Sequence, residues 1–194
     1  PRTSKIDQQE LVNVLLAHTG LETGVPVNLV MVGADGRPRQ KTLREILLEK
    51  SVVRGRVFTL ASGKTSDFYV DARVTTLDAE GAALCGRIFF QMLAGYVVDA
   101  VGGYSIGADP IVAAIAVVSH LEKRPLPAFI IRKEEKGHGT RKMIEGNFRP
   151  GLRVALFDDV ITSGGSILKG IRQVQAEGGK VEAVMAVLDR EEGG

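Results

Sequence analysis

One cysteine, Cys85, stands in 194 residues. A lone thiol supports no disulfide scaffold, and structural zinc of the Cys-rich kind is excluded with it. A reducing, cytoplasmic setting is therefore expected. Long apolar runs are also missing. The longest, residues 111–118, falls far short of the roughly 20 residues that a membrane helix needs. The opening residues, PRTSKIDQQE, lack the apolar stretch of a secretory signal, so neither membrane attachment nor export is expected. Charge of one sign is scarce as well: 25 Lys and Arg face 23 Asp and Glu, for a formal net charge of +2. The signs are mixed throughout, so a pI near 8.8 does not indicate a nucleic-acid partner. With 44% apolar and 25% charged residues, the composition is that of an ordinary globular domain with one sizeable core.

The pattern along the chain predicts a short amphipathic helix over residues 6–18, ended by Gly20, then a strand over 27–32 and a turn over 33–38. A helix over 42–50 opens on Thr42, with Glu45 three residues later at capping-box spacing. Short β-rich runs at 57–61 and 68–71 flank a polar loop, 62–67. Helix and strand then alternate. Helices are expected over 78–94, 110–120 (Asp109 as cap, Pro110 first) and 166–177, and strands over 97–101, 128–132, 153–158 and 181–188. The strands are near-continuous apolar runs, as expected when helices cover both faces of a parallel sheet. Residues 133–152 break the rhythm. They show no helix period, are long for a connection, and concentrate basic charge in Lys133, Lys136, His138, Arg141 and Lys142.

The most informative stretch is VALFDDVITSGGS, residues 154–166. An apolar strand delivers Asp158 and Asp159 to its C-terminal edge, where open parallel sheets bind ligands. The small-residue turn Thr162, Ser163, Gly164, Gly165, Ser166 then enters a helix. Its amides, its hydroxyls and the positive end of the helix form a receptor for a phosphate dianion. Carboxylates beside a bound phosphate would repel it unless they accept hydrogen bonds from the sugar that carries it, and a ribose 5-phosphate meets that condition. The plainer reading is a capped strand and a tight βα turn. A nucleotide P-loop is excluded, since Gly63-Lys64-Thr65 has Phe58 in place of the first glycine. No GxGxxG run is present, so a nicotinamide or flavin site is not expected.

VALFDDVITSGGS resembles the 5-phosphoribosyl 1-diphosphate (PRPP) signature of the type I phosphoribosyltransferases. Three further segments, FTLASGKTSDFYVDAR (58–73), RKEEKGHGTRKMIEG (132–146) and the terminal LDREEGG, narrow the resemblance to the orotate phosphoribosyltransferase family. With the GGYSIGADP loop it extends from Thr42 over about three-quarters of the chain.

The resemblance implies a type I phosphoribosyltransferase fold: an α/β core with a parallel central sheet flanked by helices, and a small N-terminal α+β hood. It divides the chain into an N-terminal extension and hood region, 1–72, and a PRPP-binding core, 73–194. PRPP would be bound by Arg132, Lys133, Lys136, His138, Asp158, Asp159, Val160, Ile161, Thr162, Ser163, Gly164, Gly165 and Ser166. Lys136, His138, Asp158 and Asp159 would carry the catalysis. Phe68, Tyr69 and Val70 match positions that pack on the pyrimidine, Arg190 matches the one that pairs with orotate, and Lys64 and Thr162 complete the orotate site. Mg2+ would be carried mostly by PRPP, with no direct protein ligand. The basic loop, 133–145, would close as a water-excluding lid across a homodimer interface.

Two departures from the family pattern stand out. Ala61 replaces a lysine found in some relatives, with Lys64 the nearest cation, and the GGYSIGADP loop lacks a lysine that others place against pyrophosphate. Two rival functions remain: a type I transferase for another base, and a non-catalytic PRPP-binding regulator. Cys85 reads as a buried structural thiol, and His18 and His120 as helix-end residues.

Overall fold

The computed structural model describes residues 29–32, 38–59, 65–104, 106–133 and 143–190, with side chains from Thr42 onward apart from Arg56. The helix expected over 6–18, and Lys64, Lys136 and His138, lie outside the described residues.

Strands β1 (Leu29–Val32) and β2 (Pro38–Lys41) form an antiparallel pair leading into helix α1 (Leu43–Lys50). The capping box forms as its spacing predicts: Glu45 N donates to Thr42 Oγ1 (3.3 Å) and Thr42 N donates to Glu45 Oε2 (2.7 Å). Strands β3 (Val52–Thr59) and β4 (Thr65–Val70) form an antiparallel hairpin, so part of the expected polar loop is strand. Gly55, at φ +91, lies where the hairpin register shifts. Helices α2 (Ala72–Thr76) and α3 (Ala79–Met92) follow. A buried 2.7 Å hydrogen bond between Ser51 and Thr75 ties the end of α1 to α2.

The core sheet has the order β7-β6-β5-β8-β9. Strands β5 (Ala100–Tyr104), β6 (Ala128–Ile131), β8 (Arg153–Ile161) and β9 (Lys180–Asp189) run parallel, as expected. Strand β7 (Ile144–Gly146) is a correction, pairing antiparallel with β6 inside a segment read as an irregular connection. Three residues carry no legible period. At Gly146 the backbone adopts φ +97 and lies so close to β6 that a Cβ would sit 3.0 Å from the Ala128 carbonyl.

Alternation along β8 shows how the sheet is covered. Ala155 and Phe157 pack with Cys85 and Phe89 of α3 and with Ile111, Val112 and Ile115 of helix α4 (Asp109–Leu121). Val154 and Leu156 point the other way, toward Ile167 and Val174 of helix α5 (Gly165–Ala176). Both faces of the strand are buried, which is why it reads as a continuous apolar run. Its last residues then emerge at the C-terminal edge of the sheet.

Candidate active site

The acid pair divides between two environments. Asp158, at even parity with Val154 and Leu156, is buried and only 5% exposed. Its Oδ1 accepts from Asp159 N at 3.0 Å. Loss of solvent, then the negative Asp159 beside it, push its carboxyl up to about 7, with Lys133 acting in the opposite direction. Asp159 is half-buried, and its Oδ1 accepts from Val160 N at 2.9 Å. Its carboxylate lies against the α-carbon of Gly107, in the place a side chain would need. The glycine of the GGYSIGADP loop thus makes room for the acid.

A cleft of about 840 Å³ opens over this edge, walled by Tyr69, Val70, Asp71, Arg73, Ile106, Gly107, Asp109, Arg132, Lys133, Glu145, Asp159, Val160 and Arg190, among others. The β3–β4 hairpin supplies Tyr69, whose ring stacks on Phe58 with centroids 5.5 Å apart. Arg190 directly follows strand β9, and its N–H donates to the Ile161 carbonyl at 3.0 Å and so keeps the ends of β8 and β9 together. Arg132 follows β6, and its Nη1 donates to Glu145 Oε1 on β7 at 2.9 Å. Its own N–H donates to the Met143 carbonyl, so the short hairpin orients this cation.

Eight of the expected site residues meet here. Tyr69, Val70, Arg132, Lys133, Asp159, Val160 and Arg190 share the cleft wall, with Asp158 buried at the same strand end. Ile161, Thr162, Ser163, Gly164, Gly165 and Ser166 lie beyond that wall, at the end of β8 and in the turn into α5. Gly164 takes the left-handed conformation there (φ +68), and the helix opens without a side-chain cap, so its first N–H groups are left for a ligand. Phe68 is not part of that cleft wall: it lines an adjoining groove of about 570 Å³ with Leu43, Leu47 and Val187, and Val70 and Arg190 border both spaces.

Asp71, Arg73, Asp109 and Glu145 also line the cleft and were not among the expected site residues. Asp109 reads in sequence as a helix cap, but Ala108 holds the cap position and Asp109 is the first helical residue. Its Oδ1 is buried with no hydrogen-bond partner among the described residues, and burial raises its pKa. Arg73 closes the segment 58–73; an arginine two residues after a helix-capping aspartate at a strand end was the available signal.

Comparison with known proteins places the chain in a family. No family model matches the chain. The orotate phosphoribosyltransferase of Aquifex aeolicus is 47% identical over 138 residues, covering 71% of this chain and 75% of that protein. The chain belongs to the orotate phosphoribosyltransferase family. A second member, from Sorangium cellulosum, is 42% identical over 84% of this chain and 86% of its own. The orotate phosphoribosyltransferase of Mycobacterium tuberculosis H37Rv, solved with Fe(III) dicitrate, superposes with a TM-score of 0.69 at 41% identity, covering 78% of this chain and 84% of its own. The same enzyme has been solved with PRPP, with a TM-score of 0.65 against this chain. The fold is accordingly that of the type I phosphoribosyltransferases, and in this chain the antiparallel β7 forms one edge of the sheet.

Proposed function

We infer that the chain transfers the 5-phosphoribosyl group of PRPP to orotate, giving orotidine 5′-monophosphate and pyrophosphate. The observation that carries this reading is the acid pair at the end of β8 beside a helix-opening glycine turn, with Asp159 lining a cleft that Tyr69 and Arg190 also wall. Asp158 and Asp159 accept hydrogen bonds from the ribose hydroxyls, and residues 162–166 receive the 5-phosphate on α5's first N–H groups. Tyr69 and Val70 pack on the pyrimidine, and Arg190 presents a planar fork to the orotate carboxylate, with Lys64 and Thr162 completing that site. Arg132, Lys133, Lys136 and His138 oppose the charge that grows on pyrophosphate as the C1–O bond breaks.

Magnesium suits the oxygen-rich chemistry of this cleft. Among the described residues no group of three or more His, Cys, Asp or Glu side chains could hold a metal ion, and the ion is read as carried mainly by the diphosphate. When bound, the ion supplies charge neutralisation of the diphosphate.

Residues 1–72 serve as extension and hood, and 73–194 as the PRPP-binding core; the hairpin bearing Tyr69 falls in the first and the whole five-stranded sheet in the second. Loop 133–145 closes across a homodimer interface. A cytoplasmic setting fits the one thiol, Cys85, which is buried and whose pKa is pushed up to about 12 by that burial. No helix among the described residues is long and apolar enough to cross a membrane.

The test is the fall in orotate absorbance on adding PRPP and Mg2+, run beside uracil, hypoxanthine and adenine. Orotate alone should be consumed, and chelation should stop it. Consumption of another base, or of none while PRPP still binds, would overturn the assignment.

A further inference from the structure

We propose that Arg73 is an anion-binding residue of the cleft, a guanidinium held in place by Asp71 that grips the diphosphate of the phosphoribosyl donor. The proposal rests on reading the cleft as a PRPP site and goes beyond the residues that reading assigned.

Arg73 sits in the first turn of α2, behind the N-cap Asp71. Its Nε donates to Asp71 Oδ1 at 2.8 Å and its Nη2 to Oδ2 at 2.9 Å, while its own backbone N–H donates to Oδ1 at 3.1 Å. Two parallel bonds fix the guanidinium plane. They occupy two of the five N–H donors that an arginine carries, leaving three on the edges turned away from Asp71. The side chain stays 47% exposed and walls the cleft together with Asp159, Arg132 and Lys133. Asp159 and Tyr69 both act electrostatically on it. Because Asp71 cancels most of its charge at a distance, Arg73 offers directed donors rather than a positive field, and a planar fork matches phosphate oxygens in a way that lysine does not.

Its neighbour Asp159 argues for the diphosphate. A carboxylate that holds ribose hydroxyls stands next to C1, where the diphosphate is attached. Arg190, just past the end of β9, is the residue read above as pairing with orotate. In the transfer the C1–O bond breaks and its electron pair leaves on the diphosphate. N1 of orotate supplies the pair for the new C1–N1 bond, and the proton lost from N1 passes to the diphosphate or to water. The N–H edges of Arg73 meet the diphosphate oxygens while that charge develops.

The test uses Arg73→Lys and Arg73→Gln in the full chain, with forward and reverse kinetics and direct binding of PRPP and ribose 5-phosphate. Both variants should raise KM for PRPP and for pyrophosphate by about ten-fold or more, the size of a lost hydrogen bond to a charged group. KM for orotate and affinity for ribose 5-phosphate, which has no diphosphate, should stay within about two-fold. Asp71→Asn, which loosens the guanidinium without removing it, should shift the same two constants by less. A change confined to orotate, an equal loss for ribose 5-phosphate, or no change at all would overturn the proposal. Wild-type protein that binds PRPP but turns over no orotate would sink the transferase reading alone, since the comparison of PRPP with ribose 5-phosphate still tests the diphosphate contact.

Discussion

Asp158 and Asp159 are adjacent in sequence, yet strand alternation sends one into the core edge and the other into the cleft. The Asp158 carboxyl, raised from 3.8 to about 7 by burial and by Asp159, is easier to keep neutral in the fold than in the unfolded chain. Its contribution to stability is therefore complete below the unfolded value and is lost as pH rises toward and through about 7. Asp158→Asn removes that penalty. In ligand-free protein, the melting temperature of the variant should exceed that of wild type by a margin that widens between pH 5 and pH 8. PRPP affinity should fall at the same time by about ten-fold or more, because the ribose loses a charged acceptor. Thermal melts across pH, with and without PRPP, check both halves. A margin that stays flat with pH would mean that Asp158 is already ionised throughout that range.

At the scale of elements, the edge of the sheet opposite the cleft sets the registry that aligns the site. Asp99, just before β5, grips Arg153 at the start of β8: Arg153 Nη2 donates to Oδ1 at 2.7 Å, and its Nε and backbone N–H both donate to Oδ2. This clamp joins the two strands that carry Gly107's loop and the acid pair. It also holds the Asp99 carboxyl down to about 2, chiefly through the side-chain bond. A depressed carboxyl contributes stability above its unfolded value and loses it as pH falls through about 2. Asp99→Asn should thus melt below wild type at pH 5, with the gap closing toward pH 2; a gap independent of pH would assign the loss to geometry rather than charge. Elements of this kind differ in how far the sequence reveals them. The capping box of α1 and the β8–α5 turn are local chemistry, so Thr42, Glu45, Asp158 and Gly164 announce them. Strand β5 was expected over 97–101 but runs over Ala100–Tyr104, because Gly102 and Gly103 read as a turn. In the fold they are strand residues whose missing side chains admit the Phe129 ring and the Ala108 methyl. Strand β7 and the displaced position of Asp109 depend on pairing partners and on the path of the loop, which no local pattern encodes.

At the scale of the whole molecule, the site residues on the page come from one chain, while the basic loop 133–145 is proposed to act on the neighbouring subunit. That arrangement makes a prediction which one chain acting alone cannot satisfy. Lys136→Ala damages the loop and Asp159→Asn damages the ribose site, and each homodimer should be nearly inactive. In a mixed dimer with the loop acting across the interface, one site receives both lesions and the other receives neither. Random reassortment of equal amounts makes about half the dimers mixed, each with one intact site of two, so activity should recover to about a quarter of wild type. A loop that closes over its own subunit's site leaves one lesion in each site of the mixed dimer, and no recovery follows. Mixing the two purified variants, allowing subunits to exchange and assaying orotate consumption over time separates these cases. The time course adds a second check, because recovery that tracks subunit exchange belongs to the assembly and recovery that is immediate does not.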